Sequence, residues 1–239
     1  MLADPGSRII RQFRMVDPDN TENNVPAYGA KDTAYPGYFA VNPAGVITER
    51  FVDGGYDDRR TANALIATMF PELVESRGAS ASGAQVDVTL GQTDTVVNLG
   101  SRLELFVDLS IAAGIHVYAP GVEEYRPLEI VLPASEWIRT IEPVYAPSRM
   151  VELQAIRETV PAYEQKTRIV IDVVVANTFA LMRTLAKNPA VPQPVTLDAT
   201  LKYQACSQTT CYKPAEVPLT WTLQVKLPDR ERAKQNDPR

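Results

Sequence analysis

From Gln85 onward, hydrophobic and polar residues alternate in short runs. Successive side chains of a strand point to opposite faces, so such alternation predicts half-buried strands. Strands are expected near 85–90, 102–112, 115–119, 127–132, 136–142, 150–157, 166–176, 195–206 and 211–226. Turn-forming groups part them, among them Asn98-Leu99-Gly100-Ser101 and Ala112-Ala113-Gly114. In the last two runs, Val195, Leu197, Ala199, Leu201 and Tyr203 face Val217, Leu219, Trp221, Leu223 and Val225 in the same alternation, which puts Trp221 and Leu223 toward a core. Helical periodicity interrupts the strands only over 177–187, before Pro189, Pro192 and Pro194. Strands at this spacing predict an antiparallel β-sandwich of the immunoglobulin type over 85–227.

The first 77 residues read differently. A short amphipathic helix is expected at 7–13, with Asp4 or Ser7 as its cap, and a polar loop at 17–31. Strands follow at 38–41 and 46–52 around the turn Asn42-Pro43-Ala44-Gly45. A helix is expected at 61–74 from the stripe Ala62, Leu65, Ile66, Met69, Leu73 and Val74. So few elements bury little on their own. This is a small α/β part of a mainly β chain. The small residues Gly78-Ala79-Ser80-Ala81-Ser82-Gly83-Ala84 read as a linker over 78–84. Residues 228–239 are charged, lack apolar anchors and read as a disordered tail.

Composition narrows the chemistry. The net charge is −5, which argues against a basic nucleic-acid surface. The longest apolar run, Ile169 to Ala176, is broken by Asp172, so no membrane span is expected. Residues 1–7 contain neither a basic nor an apolar signal-peptide region. One histidine and two cysteines do not make a zinc site of familiar spacing, and no metal or cofactor is expected. The single histidine, His116, lies in the strand Gly114-Ile115-His116-Val117-Tyr118 and reads as a surface or packing residue.

The remaining candidates are the two cysteines, Cys206 and Cys211, separated by Ser207-Gln208-Thr209-Thr210. Two strands joined by four polar residues read as a hairpin, which brings the sulfurs within disulfide reach. By parity Cys206 falls with Lys202 and Gln204 on the polar face, so its sulfur is expected near solvent. A bridge over so short a loop gains little chain entropy. A reactive pair, a plain hairpin disulfide and two separate thiols all fit these residues. Lys202 or Lys213 would favour a thiolate, or else are simply solvated charges. Tyr203, Tyr212, Tyr118 and Tyr145 are candidates to shield the sulfurs, the first two equally for cross-strand packing.

The stretch Tyr203-Gln204-Ala205-Cys206…Cys211-Tyr212-Lys213-Pro214 resembles the active-site hairpin of the N-terminal domain of the DsbD thiol:disulfide interchange family. Gly114-Ile115-His116-Val117-Tyr118 and Pro218-Leu219-Thr220-Trp221 resemble flanking strands of that domain, and the resemblance spans roughly 85–227. It implies an immunoglobulin-like fold, an extracytoplasmic setting and thioredoxin-fold protein partners. Cys206 and Cys211 become the redox pair, with Cys211 favoured as the one that links to partners. The compartment stays open, because no signal peptide is visible and a cytoplasmic chain also fits.

Leu2-Ala3-Asp4-Pro5, the run from Tyr35 to Val46, and Tyr56-Asp57-Asp58-Arg59-Arg60-Thr61-Ala62 resemble the C-terminal half of a redoxin, a thioredoxin-like domain. That resemblance implies a cis bond before Pro36. It carries no peroxidase or reductase chemistry, because no cysteine precedes Cys206. The edges of such a half-domain are expected to pack on the sandwich or to pair with a second chain, a homodimer being one such arrangement. The function expected is thiol:disulfide exchange. The alternative is a non-catalytic immunoglobulin-like binding module with a structural disulfide, since fold does not give function.

Overall fold

The computed structural model describes residues 5–16, 34–52, 58–76, 78–123, 125–141, 143–153 and 157–228. The expected loop at 17–31 and nearly all of the expected tail lie outside them, as do Leu2–Asp4 and Tyr56-Asp57 of the redoxin resemblance. The chain forms two compact units, Met1–Arg60 and Thr61–Arg239.

In the first unit, helix α1 (Arg8–Gln12) precedes a hairpin of β1 (Gly37–Val41) and β2 (Ile47–Val52), and β3 (Arg59–Arg60) ends it. Ser7 precedes α1 but its side chain makes no cap. The hairpin turn is set by Asn42, whose Oδ1 accepts from the amides of Ala44 (3.0 Å) and Val46 (3.0 Å). Gly45 takes the positive φ of 79° that the turn requires. Arg50 ties hairpin to helix, donating from Nε to the carbonyl of Phe13 at 3.1 Å and from Nη2 to that of Arg14. The rings of Phe13 and Phe39 meet edge-on at 5.2 Å. The expected cis bond at Pro36 is absent, for no cis peptide bond occurs among the described residues. Here Pro36 leads directly into a two-stranded hairpin, and Tyr35 is held by donating its amide to Met15 O at 2.8 Å, so nothing in the local chain path calls for the cis isomer.

The second unit is an antiparallel β-sandwich, as expected. Its elements are α2 (Ala62–Met69), β4 (Ser80–Gly83), β5 (Val86–Gln92), β6 (Val96–Asn98), β7 (Ser101–Ile111), β8 (His116–Tyr118), β9 (Glu129–Val131), β10 (Ile138–Thr140), β11 (Val144–Tyr145), β12 (Arg149–Leu153), β13 (Glu158–Tyr163), β14 (Lys166–Val175), α3 (Phe179–Ala186), β15 (Gln193–Tyr203), β16 (Ala205–Cys206) and β17 (Ala215–Lys226). One sheet runs β10-β14-β7-β5-β4, with β11 also on β14. A second runs β6-β17-β15-β9, and a third, which carries the cysteines, runs β12-β13-β8-β16.

The alternation read from the sequence is the core. Val195 to Tyr203 on β15 and Val217 to Val225 on β17 are buried at every second residue, against Leu103, Leu105, Val107 and Leu109 of β7 and Ile169, Ile171 and Val173 of β14. Trp221 and Leu223 face inward as expected, at 3% and 0% exposure. Trp221 Nε1 donates to Gly91 O on the facing sheet at 3.0 Å, so the indole links the layers by a hydrogen bond as well as by area. Strand β7 is covered on both faces. Its outer face lies under α2, where Thr68 Oγ1 donates to the buried Glu104 carboxylate at 2.7 Å.

The segment 78–84 is not a free linker. Ser80–Gly83 forms β4 and pairs with β5, and Gly78 N donates to Leu90 O at 2.8 Å. The small residues serve close approach: a Cβ at Gly83 would stand 2.1 Å from Tyr203 Oη, and one at Gly78 would stand 2.6 Å from Leu90 O. The expected strand at 150–157 corresponds to β12, and a strand not expected from the pattern, β13, follows it. Pro161 interrupts the sequence signal, yet it stands opposite Met150 of β12 in β13, the strand between β12 and β8, and its carbonyl accepts from Ala119 N at 3.0 Å.

Tyr203 is fully buried, and its hydroxyl donates to Ala84 O at 3.2 Å. Burial, with a smaller effect from Asp87, pushes its pKa up to about 12 from an ordinary 10.0. Between those values the folded chain keeps a proton that the unfolded chain has released, so stability falls as pH rises. Up to roughly 2–3 kcal/mol is at stake across that window. Denaturation curves between pH 10 and 12 are expected to be less steep in pH, by about one proton, for Tyr203→Phe than for the wild type.

Candidate functional site

Cys206 and Cys211 are joined by a disulfide, with Cα atoms 4.0 Å apart. The hairpin that carries them is smaller than the sequence pattern predicts. Strands β15 and β17 pair only as far as Tyr203 with Ala215, and residues 204–214 leave that ladder as a separate excursion. Gln204 marks the break, its Nε2 donating to Tyr212 O at 2.9 Å. The turn is closed by Ser207, whose amide donates to Thr210 O at 2.8 Å and whose hydroxyl accepts from the amides of Thr209 (3.3 Å) and Thr210 (3.0 Å). Tyr212 N donates back to Ala205 O at 2.9 Å.

Beyond Gln204 the chain joins β8 of another sheet, with Ala205 opposite Val117 and Cys206 opposite His116. Alternation still holds within this short strand, but both of its faces are covered. Ala205 and Val117 enter the main core. Cys206 enters a second cluster with Tyr118, Val151, Leu153, Val160 and Ala162, against which Val122 and Tyr125 pack. Cys206 is therefore 1% exposed, not outward-facing as parity suggested, because the face opposite the main core is roofed by this cluster rather than by water. Cys211, at the other end of the bridge, is exposed. The two cysteines are unequally placed: Cys211 is an exposed residue and Cys206 an enclosed one.

Of the tyrosines singled out from sequence, Tyr118 meets the pair. Its hydroxyl lies 3.7 Å from Cys211 Sγ. The ring is buried, stacked on Tyr125 at 4.3 Å and edge-on to His116 at 5.2 Å. Burial, reinforced by the charge of Glu158, holds its pKa above the ordinary tyrosine value, so it remains a hydrogen-bond donor at neutral pH. Tyr125 was not among the sequence candidates; its hydroxyl donates to Glu158 Oε2 at 3.0 Å. It lies outside any periodic run, so no local pattern marks it.

The other three tyrosines are engaged elsewhere. Tyr203 reaches Ala84 inside the core, Tyr145 Oη accepts from Ile130 N at 3.1 Å, and Tyr212 packs half-buried against the main core. Lys202 stands 3.7 Å from Glu216, its cross-strand neighbour, while Lys213 is exposed two residues past Cys211. Among the described residues there is no group of three or more His, Cys, Asp or Glu placed to hold a metal ion, and no helix is long and apolar enough to cross a membrane.

A hydroxyl at sulfur distance stabilises a thiolate by donating to it. Tyr118→Phe keeps both ring contacts and removes that donor. In the reduced protein the variant is expected to raise the Cys211 pKa and to slow its alkylation at neutral pH, as read by iodoacetamide rates across pH; unchanged rates would assign Tyr118 to packing alone.

No protein-family model matches the chain, and no curated protein matches it. Among solved structures, it is similar to the N-terminal domain of DsbD from Neisseria meningitidis in its reduced form, at 15% identity and a TM-score of 0.30, over 50% of this chain and 82% of that one. It is also similar to the N-terminal periplasmic domain of ScsB from Proteus mirabilis, at 11% identity and a TM-score of 0.40, over 63% of this chain and 52% of that one.

Proposed function

We propose that this chain performs thiol:disulfide exchange through Cys206 and Cys211 with a thioredoxin-fold protein partner. The observation that carries the proposal is the asymmetric bridge: an exposed Cys211 bonded to an enclosed Cys206, with a tyrosine hydroxyl 3.7 Å from the Cys211 sulfur. Exchange runs by thiolate attack on a disulfide sulfur through a mixed disulfide. When the bridge is oxidised, a partner thiolate attacks the reachable Cys211 Sγ and expels Cys206 as the leaving thiolate. The partner's second thiolate then resolves the mixed disulfide, leaving this pair reduced and the partner oxidised. The reverse sequence passes the two electrons on to an oxidised partner. The resemblance of Tyr203–Pro214 to the DsbD hairpin supports the same roles, and it favours Cys211 as the partner-linking residue.

The burial of Cys206 favours a second reading, a structural bridge in a binding module. The two readings separate by potential. Structural disulfides lie below about −300 mV and resist the glutathione pool. A redox titration against dithiothreitol and glutathione series, read by alkylation mass shift, is expected to place this pair above about −300 mV. A value well below it would transfer the assignment to the structural reading.

A further inference from the structure

His116 is buried at 1% exposure, and its Nε2 has no hydrogen-bond partner. A buried polar atom left unpaired costs free energy, so its retention calls for an explanation. The register supplies one. His116 lies directly opposite Cys206 in the antiparallel β8–β16 pair, so the two side chains stand on the same face of the sheet as close neighbours. The same face carries Tyr118, whose hydroxyl reaches the other sulfur. In the oxidised chain Cys206 has no proton to give, and a neighbouring acceptor is idle.

We propose that His116 is the proton acceptor for Cys206, activating this enclosed thiol when it closes the disulfide. The inference rests on the exchange reading above and adds a division of labour to it. Starting from the reduced pair, the Cys211 thiolate attacks the disulfide of an oxidised partner; a Cys211–partner bond forms and one partner thiolate leaves. The Cys206 thiol then passes its proton to His116, and its sulfur attacks Cys211 Sγ. The Cys206–Cys211 bond forms, the Cys211–partner bond breaks, and the second partner thiolate leaves. Two electrons have moved to the partner, this pair is oxidised, and His116 later releases the proton to solvent. Cys206 needs such a base because the cluster around it excludes water.

Burial holds the imidazole below its ordinary pKa of 6.5, with Glu164 opposing, so it is neutral and ready to accept a proton at neutral pH. The other titratable groups on its face are Tyr118 on its own strand and Cys206 opposite it on β16, and the raised pKa of Tyr118 keeps that hydroxyl protonated. Ring closure should therefore slow as pH falls through the imidazole pKa, somewhere below 6.5.

The test uses the full chain, reduced, with the aromatic disulfide DTNB as the probe at less than one equivalent. Attack by Cys211 releases one thionitrobenzoate in a bimolecular phase. Attack by Cys206 releases the second in a unimolecular phase that does not depend on reagent concentration. His116→Gln is expected to slow the second phase by roughly 100-fold, a typical contribution of a general base. It is also expected to abolish the acidic inflection of that phase, while the first phase changes little. His116→Phe, which keeps the edge-on contact with Tyr118, should behave alike. A second phase equally fast in both variants would overturn the role of His116, as would a wild-type second phase with no acidic inflection, a measurement that requires no variant to fold. A wild type that releases no second equivalent at all would instead overturn the exchange reading itself.

Discussion

Cys206→Ser is expected to trap a covalent complex with an oxidised thioredoxin-fold protein, and Cys211→Ser is expected to trap almost none. The reason is access. Cys211 is exposed and lies 3.7 Å from a tyrosine hydroxyl, whereas Cys206 is 1% exposed inside an apolar cluster. A mixed disulfide through Cys211 persists when its resolving neighbour is a hydroxyl, because serine does not displace the partner sulfur. Non-reducing electrophoresis and mass spectrometry read the complex directly. Serine at position 206 also buries a hydroxyl, at a cost of about 1–3 kcal/mol if it stays unpaired. Cys206→Ala therefore serves as the companion variant, and it should trap the same species. Loss of the bridge removes on the order of 2 kcal/mol of loop-closure stabilisation, small enough for the sandwich to stay folded in the double variant. Equal trapping by both serine variants would contradict the asymmetry read from the structure.

Trp221→Ala is expected to be the most damaging single substitution in the sandwich. The indole is 3% exposed at the junction of the two main sheets, and its Nε1 donates to Gly91 O. Truncating a buried tryptophan costs about 3–5 kcal/mol through lost contacts and a residual cavity. Stranding the Gly91 carbonyl adds to that. Against a total of about 5–15 kcal/mol for a typical domain, this is a large share. Urea unfolding followed by far-UV circular dichroism should show a much lower midpoint with little change in slope. Trp221→Phe should fall between, because it keeps most of the apolar bulk while losing the donor and part of the ring volume. An unshifted midpoint for Trp221→Ala would mean that the two sheets are not held at this point.

Much of this architecture is legible in the residues, because period-2 alternation is a direct consequence of strand geometry. The burial of Val195 to Tyr203 and Val217 to Val225 repeats the sequence pattern residue by residue. The misreadings share a cause, which is that tertiary packing decided what local pattern could not. Parity places Cys206 on the face opposite the main core, and that much is right. Whether water or a second cluster covers that face depends on β12 and β13, distant in sequence, and on Tyr125 in a segment with no periodic signal. The glycines and serines of 78–84 look like a flexible connection, yet their smallness lets β4 lie against Tyr203 and Leu90. Pro161 conceals β13 because proline weakens any strand signal, yet it pairs with Met150 of β12 and its carbonyl accepts from Ala119 N. The expected cis bond at Pro36 came from resemblance alone, and a local hairpin with a trans bond takes its place. At the site, the cysteine spacing and the Gly-x-His-x-Tyr strand point to the right neighbourhood. The cross-strand register of His116 with Cys206 emerges only once Gln204 has carried the chain from one sheet to another.

Electron transfer through this bridge can be measured directly. The direct measurement is to reduce the Cys206–Cys211 pair, remove the reductant, mix the chain with an oxidised thioredoxin-fold protein, and follow the thiol count of each protein by alkylation mass shift. Two thiols are expected to appear on the partner for every pair lost here, through a transient Cys211-linked complex. If the partner stays oxidised at any reasonable protein concentration and no mixed disulfide accumulates with either cysteine variant, the bridge is structural and the exchange reading is contradicted.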